Sequence, residues 1–350
     1  MFYFCSPIQY NVVMDFSIKV KDYSEVYVGG VSDLLPRLLP DKRVIVISDT
    51  NIDRYYHSVL EPFDHILIGL GESSKTLLTV DTIYRRLIEL GADRSTFILG
   101  IGGGIVTDIT GFVAATYMRG VEFGFVSTTL LGQVDASVGG KNGVNVDGYK
   151  NMVGTFRQPR FVICDVNMLR TLPKREFRSG LAEVIKSGII ADKELFEMLE
   201  NADFAALQRD TALLQQIVYR AISVKASIVE RDECETGDRR LLNLGHTLAH
   251  AIEKSSSKMN HGEAVAVGLS LIADIAARNS LLEQCDNERV QSVLNRVGFS
   301  LEAPVAKSQM LKAVSKDKKS EGNSIYVVLP RAIGRCEVAK MALEEFKALV

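Results

Sequence analysis

Histidine and cysteine are both scarce, with five of each in 350 residues. The cysteines, Cys5, Cys164, Cys234, Cys285 and Cys336, are odd in number and far apart. That spacing excludes a secreted disulfide framework and predicts a reduced compartment. There is no Cys-x-x-Cys pair and no His-Glu-x-x-His helix, so neither of those zinc signatures applies. No uninterrupted apolar run reaches the ~20 residues needed to span a bilayer. The opening Met-Phe-Tyr-Phe-Cys-Ser-Pro lacks both the basic start and the sustained apolar stretch of a signal peptide. A cytoplasmic protein without a membrane partner is expected. Neither sign of charge dominates: the formal net charge is -2 and the lysines and arginines are scattered, which gives no nucleic-acid signature. Internal repeats and low-complexity tracts are also absent.

The remaining composition, 47% hydrophobic and 24% charged, is that of a globular chain long enough for two domains. From Val44 short apolar strands alternate with helices. Arg43 to Asp49, His65 to Gly69 and Ser95 to Gly100 read as strands, and Thr79 to Leu90 as a helix that stops at Gly91. This is the grammar of an α/β, Rossmann-like parallel sheet with covering helices, assigned to residues 1–168. Beyond Leu169 the pattern turns helical, over Arg175 to Ile190, Ala206 to Glu230, Gly245 to Lys254, Gly262 to Leu282 and Glu288 to Val297. Residues 169–350 are therefore expected to form an all-α unit, with a late hairpin from Ser324 to Pro330 and Arg335 to Val338 before a terminal helix.

Three stretches carry chemistry. Gly100-Ile-Gly-Gly-Gly-Ile-Val-Thr-Asp108 joins a strand to a helix, where backbone N–H groups and the helix dipole can approach a phosphate. It does not fit G-x-G-x-x-G, so a dinucleotide site outside the usual fingerprint is expected. Asp49, at a strand's end, is either a ribose acceptor or the N-cap of the next helix. The segment from Ser127 to Asn151 is rich in glycine and holds Asp135, Lys141 and Lys150. A solvated hairpin would explain its glycines but not those three charges together. The third stretch, Gly237 to Gly268, gathers three of the five histidines. His246 and His250 stand four apart on one helical face, and His261 opens a second helix with Asn260 as its N-cap. Such a cluster suits a catalytic metal, which usually takes three protein ligands and keeps an open position. A carboxylate is missing from it.

With these segments in view the chain resembles the 3-dehydroquinate synthases, the sugar-phosphate cyclases of the shikimate pathway. The resemblance is carried by Gly-Gly-Gly-Ile-Val-Thr-Asp108, Tyr-Met-Arg119-Gly, Gln-Val-Asp135-Ala-Ser-Val-Gly-Gly-Lys141, Lys150-Asn151, Gly-Leu-Ala-Glu183-Val-Ile-Lys186, Asn243-Leu-Gly-His246-Thr-Leu-Ala-His250-Ala-Ile-Glu and His261-Gly-Glu-Ala. It extends over nearly the whole length. Two departures are Tyr149, where a small residue is usual, and Ala249, where glycine is usual; both leave the chemical groups in place.

The resemblance implies Glu183 as the third ligand beside His246 and His261, to Zn2+ or Co2+. Without the family, a surface glutamate paired with Lys186 would be the better reading of Glu183. The resemblance also implies NAD, held through Asp49, Glu72, Lys75, Gly103, Gly104, Asp108, Thr128, Thr129, Asp135, Lys141 and Lys150. For the substrate it implies Arg119, Lys141, Lys150, Lys186, Lys225 and Arg239 as cations, with Asn151, Asn243 and His250 as polar partners. One of Lys316, Lys318 and Lys319 adds a further cation, and Lys318 is the choice. The implied reaction converts 3-deoxy-D-arabino-heptulosonate 7-phosphate to 3-dehydroquinate and phosphate. It proceeds through transient oxidation by NAD, phosphate elimination, re-reduction and an intramolecular aldol closure. A homodimer is implied as well. The rival readings are a sister cyclase acting on another sugar phosphate, a polyol dehydrogenase, and a silent NAD-binding relative.

Overall fold

The computed structural model describes residues 16–256, 258–315 and 324–350. The chain begins with an antiparallel pair, β1 (Phe16–Val20) and β2 (Ser24–Val28), then runs through α1 (Val31–Leu38), β3 (Val44–Asp49), α2 (Thr50–Leu60), β4 (Asp64–Ile68), α3 (Leu77–Glu89), β5 (Phe97–Gly102), α4 (Gly104–Thr116) and β6 (Phe123–Ser127). A second antiparallel pair, β7 (Lys141–Val146) and β8 (Tyr149–Phe156), precedes β9 (Phe161–Cys164). Seven strands share one sheet in the order β1-β2-β9-β6-β5-β3-β4, and every neighbouring pair except β1 and β2 is parallel.

Helices on both faces explain the near-continuous apolar runs of β5, β6 and β9, which are buried throughout. On one face Leu34, Ile52 and Leu60 from α1 and α2 pack on Phe97, Leu99 and Ile163. On the other, α3 and α4 pack into a larger core that continues without a break into the helical half. Strand order reverses at β3: the chain steps outward to β4, then back across to β5. Ligands of open parallel sheets bind at such a crevice, beyond the carboxyl ends of the strands.

The helical half comprises α5 (Lys174–Ala191), α6 (Lys193–Asn201), α7 (Thr211–Arg231), α8 (His246–Ser255), α9 (His261–Arg278), α10 (Gln284–Val297) and α11 (Lys307–Ser315). The expected hairpin is β10 (Ser324–Ala332) with β11 (Arg335–Ala342), followed by α12 (Leu343–Leu349). No helix among the described residues is long and apolar enough to cross a membrane.

Several boundaries differ from the sequence pattern. The helix expected from Ala206 starts at Thr211, because Asp210 caps it by accepting the Leu213 N–H at 3.0 Å and leaves Leu207–Arg209 as a separate 3-10 turn. The helix expected to reach Leu282 ends at Arg278. The β1–β2 pair escaped the pattern because Ser17, Lys19 and Glu25 dilute its apolar signal. Lys316, Lys318 and Lys319 lie outside the described residues.

Candidate active site

A cavity of about 1230 Å³ opens between the carboxyl edge of the sheet, the β7–β8 hairpin and the facing ends of α5, α7, α8 and α9. An ordinary small-molecule pocket takes ~300–1,000 Å³. This one has room for two ligands side by side.

Its sheet side holds the glycine turn. Gly103 is the N-cap of α4 and offers no side chain to the first turn, so the free N–H groups there face the cavity with the positive end of the helix dipole. A Cβ on Gly103 would stand 2.8 Å from Thr129 Cγ2, and one on Gly104 would stand 3.0 Å from Ala136 Cβ. Glycine is what keeps this approach open. Thr128 and Thr129 line the cavity directly beside this turn, with the Thr129 hydroxyl accepting the Gly132 N–H at 3.0 Å. Asp49 lines the cavity and is also the N-cap of α2, one oxygen accepting from Asn51 and Ile52 N–H at 2.8 and 3.1 Å. The two readings of Asp49 are therefore compatible, since the cap occupies a single oxygen.

Deeper on the same side, the Lys75 ammonium joins the Asp108 carboxylate and donates to Asn151 Oδ1 at 2.6 Å. Burial raises Asp108 to about 6 in spite of Lys75. Glu72 accepts from Asn145 Nδ2 at 2.7 Å.

The segment from Ser127 to Asn151 runs through a helical turn into the β7–β8 hairpin, and it forms one wall of the cavity rather than a solvated loop. Lys141, Lys150 and Asn151 line the cavity from it, and Asp135 does so from the wide helical turn Gly132–Ala136 just before. Each charge has a partner from elsewhere. Lys225 on α7 pairs with the Asp135 carboxylate and donates to its carbonyl at 2.6 Å. Burial opposes ionisation of Asp135, but the Lys225 ammonium prevails and holds it down at about 2. Lys141 pairs with Glu235, whose other oxygen accepts from Asn243. Lys150 reaches Glu253 at 2.9 Å. Arg239 is buried and donates to the carbonyls of Glu233 and Gly139, the latter at 2.9 Å.

The helical side holds the cluster anticipated around the histidines. Glu183 Oε1 lies 3.2 Å from His261 Nε2 and 3.5 Å from His246 Nε2, and one donor atom from each of the three lies within 4.8 Å of the others. Glu183 is 1% exposed, which rules out the surface pair with Lys186. That ammonium pairs with Glu183 Oε2 in the interior, which leaves Oε1 as the oxygen turned to the two imidazoles. Burial works against the Glu183 carboxylate, but Lys186, His246 and His261 hold its pKa well below the usual range. His246 Nδ1 faces the Leu244 carbonyl at 3.1 Å, placing its proton there and turning the Nε2 lone pair to the cluster. His261 Nδ1 is 3.6 Å from Glu253. An N/N/O donor set converging from Glu183 Oε1 and two imidazoles, with carboxylate support behind one of them, fits a divalent cation. Asn260 caps α9 in a reciprocal capping box with Glu263, fixing the start of the helix that carries His261. His250 lines the cavity edge-on to His246, with ring centroids 5.5 Å apart, and is not part of the ligand cluster.

Nearly all the anticipated residues thus converge. Glu183 and Lys186 stand behind His246 and His261 rather than on the cavity wall, and Arg119 does not line the cavity at all, being exposed in the turn after α4 at φ +70°. The sequence reading did not single out Glu253, Glu235 and Asn145. Glu253 could have been found, since it falls seven residues after His246 and three after His250 on one helix face. Glu235 lies in irregular backbone that has no period to read, and Asn145 lies in β7 at a register break that strand alternation does not announce.

Residues 65–179 match the family described as 3-dehydroquinate synthase N-terminal, and residues 180–320 match 3-dehydroquinate synthase C-terminal. A 3-dehydroquinate synthase from Pelobacter propionicus is 41% identical over 318 residues, covering 88% of this chain and 89% of its own. Among solved structures, 2-epi-5-epi-valiolone synthase from Streptomyces hygroscopicus subsp. jinggangensis, with NAD+ and Zn2+ bound, superimposes with a TM-score of 0.83 at 27% identity, covering 93% of this chain and 94% of that one. A 2-deoxy-scyllo-inosose synthase complexed with carbaglucose-6-phosphate, NAD+ and Co2+ gives 0.82 at 26%, covering 96% and 99%.

Proposed function

The chain belongs to the 3-dehydroquinate synthase family, and on that premise we propose how its cavity carries out the family's reaction. The enzyme converts 3-deoxy-D-arabino-heptulosonate 7-phosphate to 3-dehydroquinate and inorganic phosphate. Sister-cyclase substrates are disfavoured by identity, 41% to a dehydroquinate synthase against 27% and 26% to the two sister enzymes.

The observation that carries this reading is the Glu183, His246 and His261 cluster, whose two histidines face a cavity walled by lysines and by the start of α4. When bound, NAD supplies a reversible hydride exchange at one ring carbon, and a zinc or cobalt ion polarises the hydroxyl on that carbon. Glu183, His246 and His261 hold the ion; both metals suit these donors. Gly103, Gly104, Asp108, Thr128 and Thr129 receive the dinucleotide, with Asp49 and Glu72 towards its ribose end. Lys141, Lys150, Lys225 and Arg239 balance the substrate's phosphate and carboxylate and carry the charge that grows on phosphate as its C–O bond breaks, while Lys186 acts from behind through Glu183. Asn151, Asn243 and His250 orient the ring through its hydroxyls. Arg119 and Lys318 join this set on the resemblance alone.

The same reading divides the chain at 168/169, between β9 and α5, and places a homodimer in the cytoplasm, the dimer being testable by light scattering. The deciding experiment incubates zinc-loaded protein with catalytic NAD and the heptulosonate phosphate. Phosphate and dehydroquinate formed in equal amounts without accumulating NADH is the expected result. Net NADH formation, or no phosphate release from metal-replete protein, would reject it.

A further inference from the structure

Asn145 sits where the β7–β8 ladder breaks. Val144 pairs with Val153 and Val146 with Tyr149, so Asn145 has no partner in β8 and bridges Thr76 instead. Its side chain fills the gap. Oδ1 accepts the Asn151 N–H at 2.9 Å, and Nδ2 donates to Glu72 at 2.7 Å. Its own N–H donates to the Lys75 carbonyl at 2.9 Å. Asn151 is at φ +53°, a left-handed conformation that asparagine tolerates better than other L residues and that the Asn145 contact helps to fix. From there Asn151 Oδ1 accepts from Lys75, which in turn holds Asp108.

We propose that Asn145 is a positioning residue that acts on both ligands through separate atoms. Through Oδ1 it fixes Asn151 for the sugar phosphate, and through Nδ2 it fixes Glu72 for the dinucleotide. Neither atom touches substrate. The inference rests on the reading of Asn151 and Glu72 given above, and it adds that one side chain serves both.

The two atoms can be separated by substitution. Asn145→Ala removes both bonds. Asn145→Asp keeps an acceptor for the Asn151 N–H but turns a second carboxylate on Glu72, where like charges repel. NAD affinity is measured by calorimetry on metal-loaded protein, and kcat/KM for the sugar phosphate by phosphate release at saturating NAD. Losing a hydrogen bond to a charged group weakens an interaction by about tenfold or more. Asn145→Ala is expected to lose about tenfold in NAD affinity, where the lost bond is to the Glu72 carboxylate, and about five- to tenfold in kcat/KM, where it is to the neutral Asn151 N–H. Asn145→Asp should lose at least as much NAD affinity yet keep kcat/KM within about threefold of wild type. In an Asn151→Ala background, Asn145→Ala should change kcat/KM by less than about twofold, because its route is already cut.

The proposal is overturned if Asn145→Asp falls as far as Asn145→Ala in kcat/KM at saturating NAD, or if the Asn145 and Asn151 effects multiply independently. Equal losses of NAD affinity, kcat/KM and Tm in both variants would mark a merely structural residue and overturn it too. Absence of phosphate release by the wild-type enzyme would instead overturn the reaction assignment. The calorimetric comparison would then decide the Glu72 arm on its own.

Discussion

Replacing Gly262 by alanine tests whether the metal cluster is set by the packing of α5 against α9. Gly262 follows His261, and its N–H donates to Ser179 Oγ at 3.1 Å. A Cβ there would stand 2.2 Å from the Ser179 carbonyl oxygen, 2.4 Å from its Cα and 2.6 Å from its carbonyl carbon. All three are backbone atoms, so no flexible side chain can turn aside. Carbon contacts need ~3.5–4.0 Å, which requires the two helices to part by roughly 1 Å. Glu183 lies one turn along α5 from Ser179, and the movement therefore falls on the 3.2 Å separation of Glu183 and His261. Overpacking of this kind costs about 1–3 kcal/mol, and the helix preference of alanine over glycine returns at most ~1 kcal/mol. Metal affinity should fall about 10–100-fold, the usual penalty for disturbing the groups that hold ligands in place. Competition with a chromophoric chelator reads the affinity, and urea unfolding reads the stability. Gly298→Ala is the control: at φ +90° it strains the C-cap of α10, but its Cβ would meet only the end of the Arg178 side chain. It should lose stability by about 1 kcal/mol and leave the metal alone. A Gly262→Ala protein that binds zinc within about twofold of wild type would refute the packing argument.

Other perturbations address the charges. Glu183→Ala should empty the metal site and abolish turnover, and by leaving the buried Lys186 unpaired it should destabilise the metal-free protein by about 3–5 kcal/mol. Adding Lys186→Met should restore much of that stability but no zinc; a double variant no more stable than Glu183→Ala, or a single variant with its full zinc content, would contradict the assignment. Asp232 accepts the N–H groups of Gly237, Thr236 and Arg239, and although burial opposes it, these bonds hold its carboxyl at about 2. Its stabilisation is therefore present above the unfolded value of ~3.9 and lost as pH falls towards about 2. Asp232→Asn should lower the urea midpoint near neutrality and flatten its decline between about pH 4 and 2; an unchanged acid profile would show that the loop carrying Glu235 and Arg239 does not depend on this carboxylate.

How much of the site was legible in the sequence follows from how far each interaction reaches along the chain. The glycine turn before α4 and the His246–His250 spacing are local patterns, and the structure keeps both. Strand and helix alternation was likewise visible because α/β periodicity is written into adjacent residues, whereas the half-polar β1–β2 pair had no such contrast. The charge pairs behave differently. Lys75 and Asp108 are 33 residues apart, Lys225 and Asp135 90, Lys141 and Glu235 94, and Lys150 and Glu253 103. Only Lys186 and Glu183 are close in sequence, and that spacing suggested an exposed helix pair because nothing local announces that α5 is buried nearly all round. Yet these distant carboxylates are what allow the cations to exist in the folded protein before a substrate arrives, since an ammonium as buried as Lys75, Lys186 or Lys225 is strongly destabilising without a partner. An incoming sugar phosphate therefore meets lysines already neutralised, and part of its binding energy must go into drawing them away from Asp135, Glu235 and Glu253. A neutral polyol brings no charge to make that exchange, so the lysines select for an anionic substrate while the carboxylates that stabilise them set the cost of admitting it.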